Sequence, residues 1–144
     1  MNGRDTVRQL LFAADSDGQP HIWLRPIDSV AARPLTGTLA YIAPEMVTSA
    51  LAADPRSDIY SLGVTLYEML TGRRPWNSDD PGELATLHRE AKPPQLNTVR
   101  PDVPRTIADL VQEMLAKDAL RRPANPRELA SRLVKLEIES FSLR

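Results

Sequence analysis

Few side chains in this chain are of the types that perform chemistry on their own. The sequence has no cysteine, which excludes disulfides, thiolate metal sites and thiol nucleophiles. It has only two histidines, His21 and His88, which are far apart in the sequence. Histidine metal sites and catalytic triads need several partners, so neither is predicted. We expect His88 to be a solvated or packing residue and not a base.

Two acidic residues near the N-terminus have a spacing similar to that of a calcium loop. Asp15 and Asp17 are followed by Gly18, but the further acidic residues that such a loop requires are missing. An Asp-Gly pair between two apolar runs is also a common tight turn. We therefore predict a turn at this position and no metal site.

Two other acidic residues are placed where a structural task is expected. Glu45 follows Pro44 within an apolar stretch, so folding should remove water from its carboxylate, which then needs a partner. Asp58 lies near the start of a long apolar segment, where its carboxylate could cap the backbone N–H groups of a helix. We expect both residues to stabilise the fold.

The overall composition disfavours some classes of partner. The chain has 18 lysines and arginines against 19 aspartates and glutamates, a formal charge of -1, with no basic excess for binding nucleic acid. Its N-terminus has no apolar signal-like region, and no apolar stretch is long enough to cross a membrane. We expect a soluble, cytoplasmic chain that binds neither nucleic acid nor membrane.

The elements that must position these residues change type along the chain. Residues 7–14 and 21–27 carry a strand-like pattern and flank a loop with turn residues, which predicts a β-hairpin within residues 1–37. Helical periodicity then predicts helices over residues 54–72, 80–91, 107–118 and 125–140. The first of them is apolar on nearly every side, which is typical of a helix in the middle of a domain. The predicted fold is mainly α.

Three segments of the helical part resemble motifs of bacterial serine/threonine protein kinases. GTLAYIAPE (37–45) resembles the end of the activation segment, and SDIYSLGVTLYEMLTGRRPW (57–76) resembles the central helix of the C-terminal lobe. LAKDALRRP (115–123) resembles the loop before the last helix of that lobe. The order and spacing of the three motifs are those of the family. The resemblance covers about Thr38 to Glu139 and implies that residues 38–144 form a truncated kinase C-lobe.

The resemblance also implies roles for individual residues. Glu45 would form an ion pair with Arg122, and Asp58 would hold the backbone of the catalytic loop in an intact kinase. Tyr41, with Ile42, would line the wall against which a substrate residue packs. The substrate-binding segment would comprise Gly37, Thr38 and Tyr41. These implied roles leave no catalytic residue in the chain.

The motifs that hold nucleotide and metal in kinases are absent from the sequence. Phosphoryl transfer depends on positioning and on charge stabilisation, which need a glycine-rich loop, a strand lysine, a catalytic-loop aspartate and magnesium ligands. The sequence contains no G-x-G-x-x-G, V-A-I-K or H-R-D motif, and its first lysine is Lys92. We therefore expect no cofactor for these 144 residues, although the intact family uses ATP and Mg²⁺.

The segment before Gly37 has two interpretations. IDSVAAR (27–33) can be aligned with the kinase string I-D-F-G-V-A-R, which puts Asp28 in the metal-ligand position, but Ser29 and Val30 replace the Phe and Gly. The longer stretch from residue 10 to residue 38 resembles one repeat of a TolB-type β-propeller. We prefer the propeller repeat and retain Asp28 as a weak metal-ligand candidate.

Two classes of function follow from these expectations. The first is a fragment of a serine/threonine kinase that cannot transfer phosphate alone. The second is a non-catalytic module that binds a protein partner or itself through exposed helical faces. A third possibility is a rearranged gene product without selected function.

Overall fold

The computed structural model describes residues 9–16, 19–26, 33–34 and 39–142. Within these ranges the protein is mainly α, as predicted. Two strands, β1 (Gln9–Ser16) and β2 (Gln19–Pro26), form an antiparallel hairpin, and a two-residue strand β3 (Arg33–Pro34) pairs with β2. The strands begin and end nearer the turn than the sequence pattern suggested, with Ser16 opposite Gln19.

Within the described residues, six α-helices follow the strands, with short 3-10 helices at residues 39–41, 50–52 and 119–121. Their bounds lie within a few residues of those predicted where a helix was predicted. The helices are α1 (Pro44–Thr48), α2 (Pro55–Thr71), α3 (Pro81–Glu90), α4 (Leu96–Val99), α5 (Arg105–Met114) and α6 (Pro126–Ser142).

Local signals explain where the long helices begin and end. Asp54 caps α2 through its side chain, and Pro55 occupies the first helical position, where a missing N–H costs nothing. Gly72 ends α2 with φ of 79°, a left-handed conformation that favours glycine. Asn125 Oδ1 accepts a hydrogen bond from the Glu128 N–H and so caps the start of α6.

The helix α2 lies at the centre of the helical part. Its side chains Ile59, Tyr60, Val64 and Tyr67 are at most 2% exposed, which agrees with the prediction of a helix that is apolar on nearly every side. They contribute to two apolar clusters, one reaching Trp76 and α3, the other formed with α5 and α6. In this way α2 supports each of the surrounding helices.

Gly63 of α2 faces the end of α5 at very short range. A Cβ atom added to Gly63 would lie 2.9 Å from the Met114 Cβ and 3.3 Å from a Leu115 methyl carbon. A real Cβ does not tolerate the shorter distance, so only glycine allows the two helices this separation.

Among the described residues, no helix is long and apolar enough to span a membrane.

Candidate functional site

The stretch that resembles a substrate-binding segment folds against α2. Tyr41 ends a short 3-10 helix and is only 1% exposed. Its hydroxyl donates a hydrogen bond of 2.7 Å to Glu68 Oε2, and its carbonyl accepts one of 2.8 Å from Ser61 Oγ. The side chain of Tyr41 is therefore part of the core, and its place in a wall for a substrate residue stays a prediction. Gly37 and Thr38 lie outside the described residues.

Glu45 and Arg122 meet across 77 positions of sequence. Arg122 Nη1 donates to Glu45 Oε1 at 2.8 Å, and Nη2 donates to Oε2 at 2.9 Å, so the pair is bidentate. The Arg122 side chain is fully buried, whereas that of Glu45 is 22% exposed. Burial raises the pKa of Glu45, but hydrogen bonds from Arg122, its own backbone and Ser57 outweigh it, so the pKa lies below its usual range. The carboxylate is therefore held in its charged form.

The remaining donors of Arg122 bind backbone carbonyls. Its Nε donates to the Ala116 carbonyl, Nη1 also to that of Arg56, and Nη2 also to that of Lys117. A guanidinium has five N–H donors, so every one of them has an acceptor. Arg122 thus joins α1, the start of α2 and the loop after α5.

The capping role expected of Asp58 belongs to another residue. Asp54 is the N-cap of α2, and its side chain accepts the Arg56 N–H, while Ser57 completes a reciprocal capping box. Asp58 lies further along the first turn, with an exposed side chain. The reason is that Pro55 fixes the first helical position, which leaves the residue before it to accept the free N–H groups.

A buried hydrogen-bonded chain ties the same segment to α3. His88 is fully buried, its Nε2 lies 3.2 Å from the Ala40 carbonyl, and its Nδ1 lies 3.0 Å from the Tyr60 hydroxyl. A carbonyl can only accept, so Nε2 carries the proton, and in the neutral ring Nδ1 then accepts from Tyr60. His88 is therefore a buried packing residue, and its ring positions residues 39–41.

Lys117 completes this chain from the loop after α5. Its Nζ donates to the carbonyls of Leu87 and His88 and lies 3.4 Å from the Tyr60 hydroxyl. The ammonium also lies 3.8 Å from the centroid of the Trp76 ring, a close cation–π contact. Burial, together with the charge of Arg122, lowers the pKa of Lys117 to about 8. Sequence inspection missed this cluster because its members belong to different helices and loops.

Because the His88 imidazole is buried, the free energy of unfolding should depend on pH. Burial, aided by the charge of Lys117, lowers the pKa of His88 to about 4 from an ordinary 6.5. The unfolded chain therefore binds the proton more readily, so the free energy of unfolding should fall as pH drops from about 6.5 to about 4. Urea unfolding at several pH values measures this slope.

The matched control for the pH experiment is His88→Gln, which cannot take up a proton. His21 and all carboxylates remain in both proteins, so the difference between the two slopes isolates His88. We expect a shallower slope for the variant between pH 6.5 and pH 4. Equal slopes would show that His88 does not carry the effect.

The described residues contain no group of three or more histidine, cysteine, aspartate or glutamate side chains that could hold a metal ion. Asp28, the candidate metal ligand, lies outside the described residues, as does the Asp17-Gly18 turn. The described residues thus form a structural frame. An ion pair and a hydrogen-bonded chain hold the segment from Leu39 to Glu45 in place.

Comparison with known proteins adds a family match to this geometry. The protein kinase domain family matches residues 25–134. This range begins before Thr38, where the resemblance was expected to start, and includes Asp28. It covers all three motifs described above.

Three curated relatives are also described as serine/threonine-protein kinases. The chain is 33% identical over 101 residues to the probable serine/threonine-protein kinase CPE1738 of Clostridium perfringens and 34% identical over 114 residues to pknA2 of Bifidobacterium longum, also a probable serine/threonine-protein kinase. It is 35% identical over 86 residues to the serine/threonine-protein kinase PrkC of Bacillus subtilis. The alignments cover 70%, 76% and 60% of this chain but only 15%, 15% and 13% of the three relatives.

Proposed function

Because this chain belongs to the protein kinase domain family, we propose that it is a structural part of a serine/threonine kinase catalytic domain. Its task is to hold the substrate-side segment in place. The observation that carries this proposal is the bidentate ion pair between Glu45 and the fully buried Arg122. An arrangement in which all five donors of one arginine are used fits a frame and offers no group to a reacting phosphate.

The 144 residues by themselves are proposed not to transfer phosphate. The sequence contains no glycine-rich loop, strand lysine or catalytic-loop motif, and these groups position the nucleotide and stabilise the developing charge. ATP and Mg²⁺ belong to the chemistry of the intact family and are not expected to bind here. This proposal amounts to a pseudokinase-like role for the chain alone.

The first test is thermal unfolding with and without Mg-ATP. A ligand at about 100 times its Kd would stabilise the protein by about 2.7 kcal/mol, a shift of several degrees. We expect no Mg-dependent shift and no transfer of radiolabelled phosphate to a generic protein substrate. Either a shift or phosphate incorporation would contradict the proposal of inactivity.

The variant Asp28→Asn distinguishes the two interpretations of the N-terminal segment. We infer that β1 and β2 derive from a propeller-type repeat, supported by the resemblance of residues 10–38 to that repeat. The family match from Arg25 instead supports a remnant of the kinase metal-binding motif. If Asp28 is not a metal ligand, the variant and the unchanged protein should respond identically to Mg²⁺. An Mg²⁺ response that is lost in Asp28→Asn would favour the kinase remnant.

A second candidate function is self-association through α6. Val134 and Ile138 are 53% and 61% exposed, and their spacing of four residues puts them on one face of the helix. Exposed apolar stripes of this kind are typical of contact surfaces. We expect light scattering to give a mass above that of the monomer, and the double variant Val134→Lys, Ile138→Lys to be monomeric. A monomer at all concentrations would exclude this candidate.

A further inference from the structure

The loop after α5 is linked to residues 39–41 by hydrogen bonds that run through the interior. Lys117 Nζ donates to the backbone carbonyl of His88 and lies 3.4 Å from the Tyr60 hydroxyl. That hydroxyl lies 3.0 Å from His88 Nδ1, and His88 Nε2 lies 3.2 Å from the Ala40 carbonyl. Tyr60 and His88 are fully buried, so water does not compete for these bonds.

The Tyr60 hydroxyl has two acceptors within reach but only one proton to donate. It lies 3.0 Å from His88 Nδ1 and 3.5 Å from the His88 backbone carbonyl. The Lys117 ammonium already donates to that carbonyl, and a hydroxyl that accepts from Lys117 must point its own proton elsewhere. Lys117 therefore directs the Tyr60 proton towards His88 Nδ1.

The direction of this bond decides which nitrogen of His88 carries the ring proton. Burial and the charges of Lys117 and Arg74 lower the pKa of His88 to about 4, so the ring is neutral near pH 7. A neutral imidazole has one N–H, and a donor at Nδ1 leaves it on Nε2. Nε2–H can donate to the Ala40 carbonyl, whereas a bare Nε2 would place two acceptors against each other.

We propose that Lys117 positions residues 39–41 by setting the tautomer of His88. Its ammonium occupies the His88 carbonyl, which directs the Tyr60 hydroxyl to Nδ1 and keeps the ring proton on Nε2, where it binds the Ala40 carbonyl. This inference rests on the proposed role of the chain as a frame for the segment from Leu39 to Glu45. Lys117 controls the start of that segment, and the Glu45–Arg122 pair holds its end.

Nitrogen NMR of the imidazole rings tests the proposal near pH 7, because the shifts of Nδ1 and Nε2 identify the tautomer. The chain has two histidines, so the variant His21→Gln leaves only the signals of His88. We expect the His88 proton on Nε2. A proton on Nδ1 overturns the proposal, and this measurement changes no residue of the hydrogen-bonded chain.

Two variants break the chain at different links. Lys117→Met keeps an unbranched side chain but donates no hydrogen bond, so the ratio of Nε2–H to Nδ1–H in His88 should fall about tenfold, the effect of one hydrogen bond. Tyr60→Phe keeps Lys117 and removes the donor to Nδ1, so the ratio should fall by a similar factor. Lys92→Met changes an exposed lysine after α3 and should leave the ratio unchanged. An unchanged ratio in either Lys117→Met or Tyr60→Phe overturns the proposal.

A general loss of stability is a separate effect and has its own control. Leu129 lies in the apolar cluster that α2 forms with α5 and α6. Leu129→Val should lower the free energy of unfolding, because a smaller side chain leaves a cavity, but it should not change the His88 tautomer ratio. A change as large as that in Lys117→Met would show that loosening alone moves the ring proton, and it would overturn the proposal.

Amide hydrogen exchange shows whether the tautomer matters for the segment. In Lys117→Met, exchange at residues 39–41 should be about tenfold faster, whereas exchange at residues 44–48, next to the Glu45–Arg122 pair, should stay as in the unchanged protein. Equal acceleration of both stretches overturns the positioning role. Binding of Mg-ATP would refute the proposed inactivity of the chain and leave these results as they are, so the two proposals fail separately.

Discussion

Replacing Arg122 by methionine should lower the free energy of unfolding by about 3–5 kcal/mol. Methionine fills much of the same volume but donates no hydrogen bond. The variant would leave the Glu45 carboxylate without a positive partner, with hydrogen bonds only from Ser57 Oγ and its own backbone N–H. It would also leave the carbonyls of Arg56, Ala116 and Lys117 without the donor they share. Urea unfolding followed by circular dichroism measures the loss.

The sequence offers a matched control for this prediction. Arg132 also forms a bidentate pair, with Glu113 at 2.6 and 2.7 Å, but both side chains are more than a third exposed. Exposed pairs contribute about 0–1 kcal/mol because water competes for each charge. Arg132→Met should therefore change stability by at most about 1 kcal/mol. Equal losses in the two variants would mean that burial does not increase the contribution of the Glu45–Arg122 pair to the free energy of unfolding.

A lysine at position 122 should not rescue the loss. Lysine keeps the positive charge but has three donors on one nitrogen, whereas Arg122 reaches Glu45 and three carbonyls with a planar fork. We expect Arg122→Lys to recover less than half of the stability lost in Arg122→Met. A nearly full recovery would show that charge matters here and that bidentate geometry does not.

Gly63→Ala should destabilise the protein by about 1–3 kcal/mol, the usual cost of overpacking. Alanine is the better helix former by about 1 kcal/mol, so a helix in isolation would gain stability. Here the added Cβ would lie 2.9 Å from the Met114 Cβ, an atom close to the backbone that can move only if α5 moves. Thermal unfolding of the variant measures the balance between these two effects.

Gly82→Ala is the control for the glycine prediction. Gly82 lies in the first turn of α3, is exposed, and its added Cβ would meet only the Asp80 Oδ1 at 3.2 Å. That atom ends a short side chain that can adjust, so the change in stability should stay within about 0.5 kcal/mol. If Gly63→Ala were equally harmless, α2 and α5 would have to separate more easily than their packing suggests.

The main helices could be predicted from the sequence because their signals are local. Proline and glycine at defined positions, together with the apolar period, located α2, α3, α5 and α6 to within a few residues. The order and spacing of the three motifs likewise indicate the kinase family from the sequence alone. The pairing of Glu45 with Arg122 was available only through that resemblance, since nothing local links two residues 77 positions apart.

Other features depend on how the elements pack against each other. The cap at Asp54 was missed in favour of Asp58, although Pro55 was a local signal that could have found it. The burial of Tyr41 and the contact of His88 with the Ala40 carbonyl had no local signal. Tyr41 packs against Glu68, 27 positions away, and His88 contacts Ala40, 48 positions away. The close approach at Gly63 was equally hidden, since a glycine inside a helix does not reveal which neighbour it faces.

The sequence by itself determined the helices, the family and the residue types available for an ion pair. Only the tertiary structure decided which of those residues lose contact with water. Charge, hydrogen bonding and packing acquire their large energies through burial, and burial depends on contacts between residues distant in the sequence. For this reason GTLAYIAPE identified the family, while the contacts of Tyr41 with Glu68 on α2 and of Glu45 with Arg122 showed that its described part, Leu39 to Glu45, is held against the core.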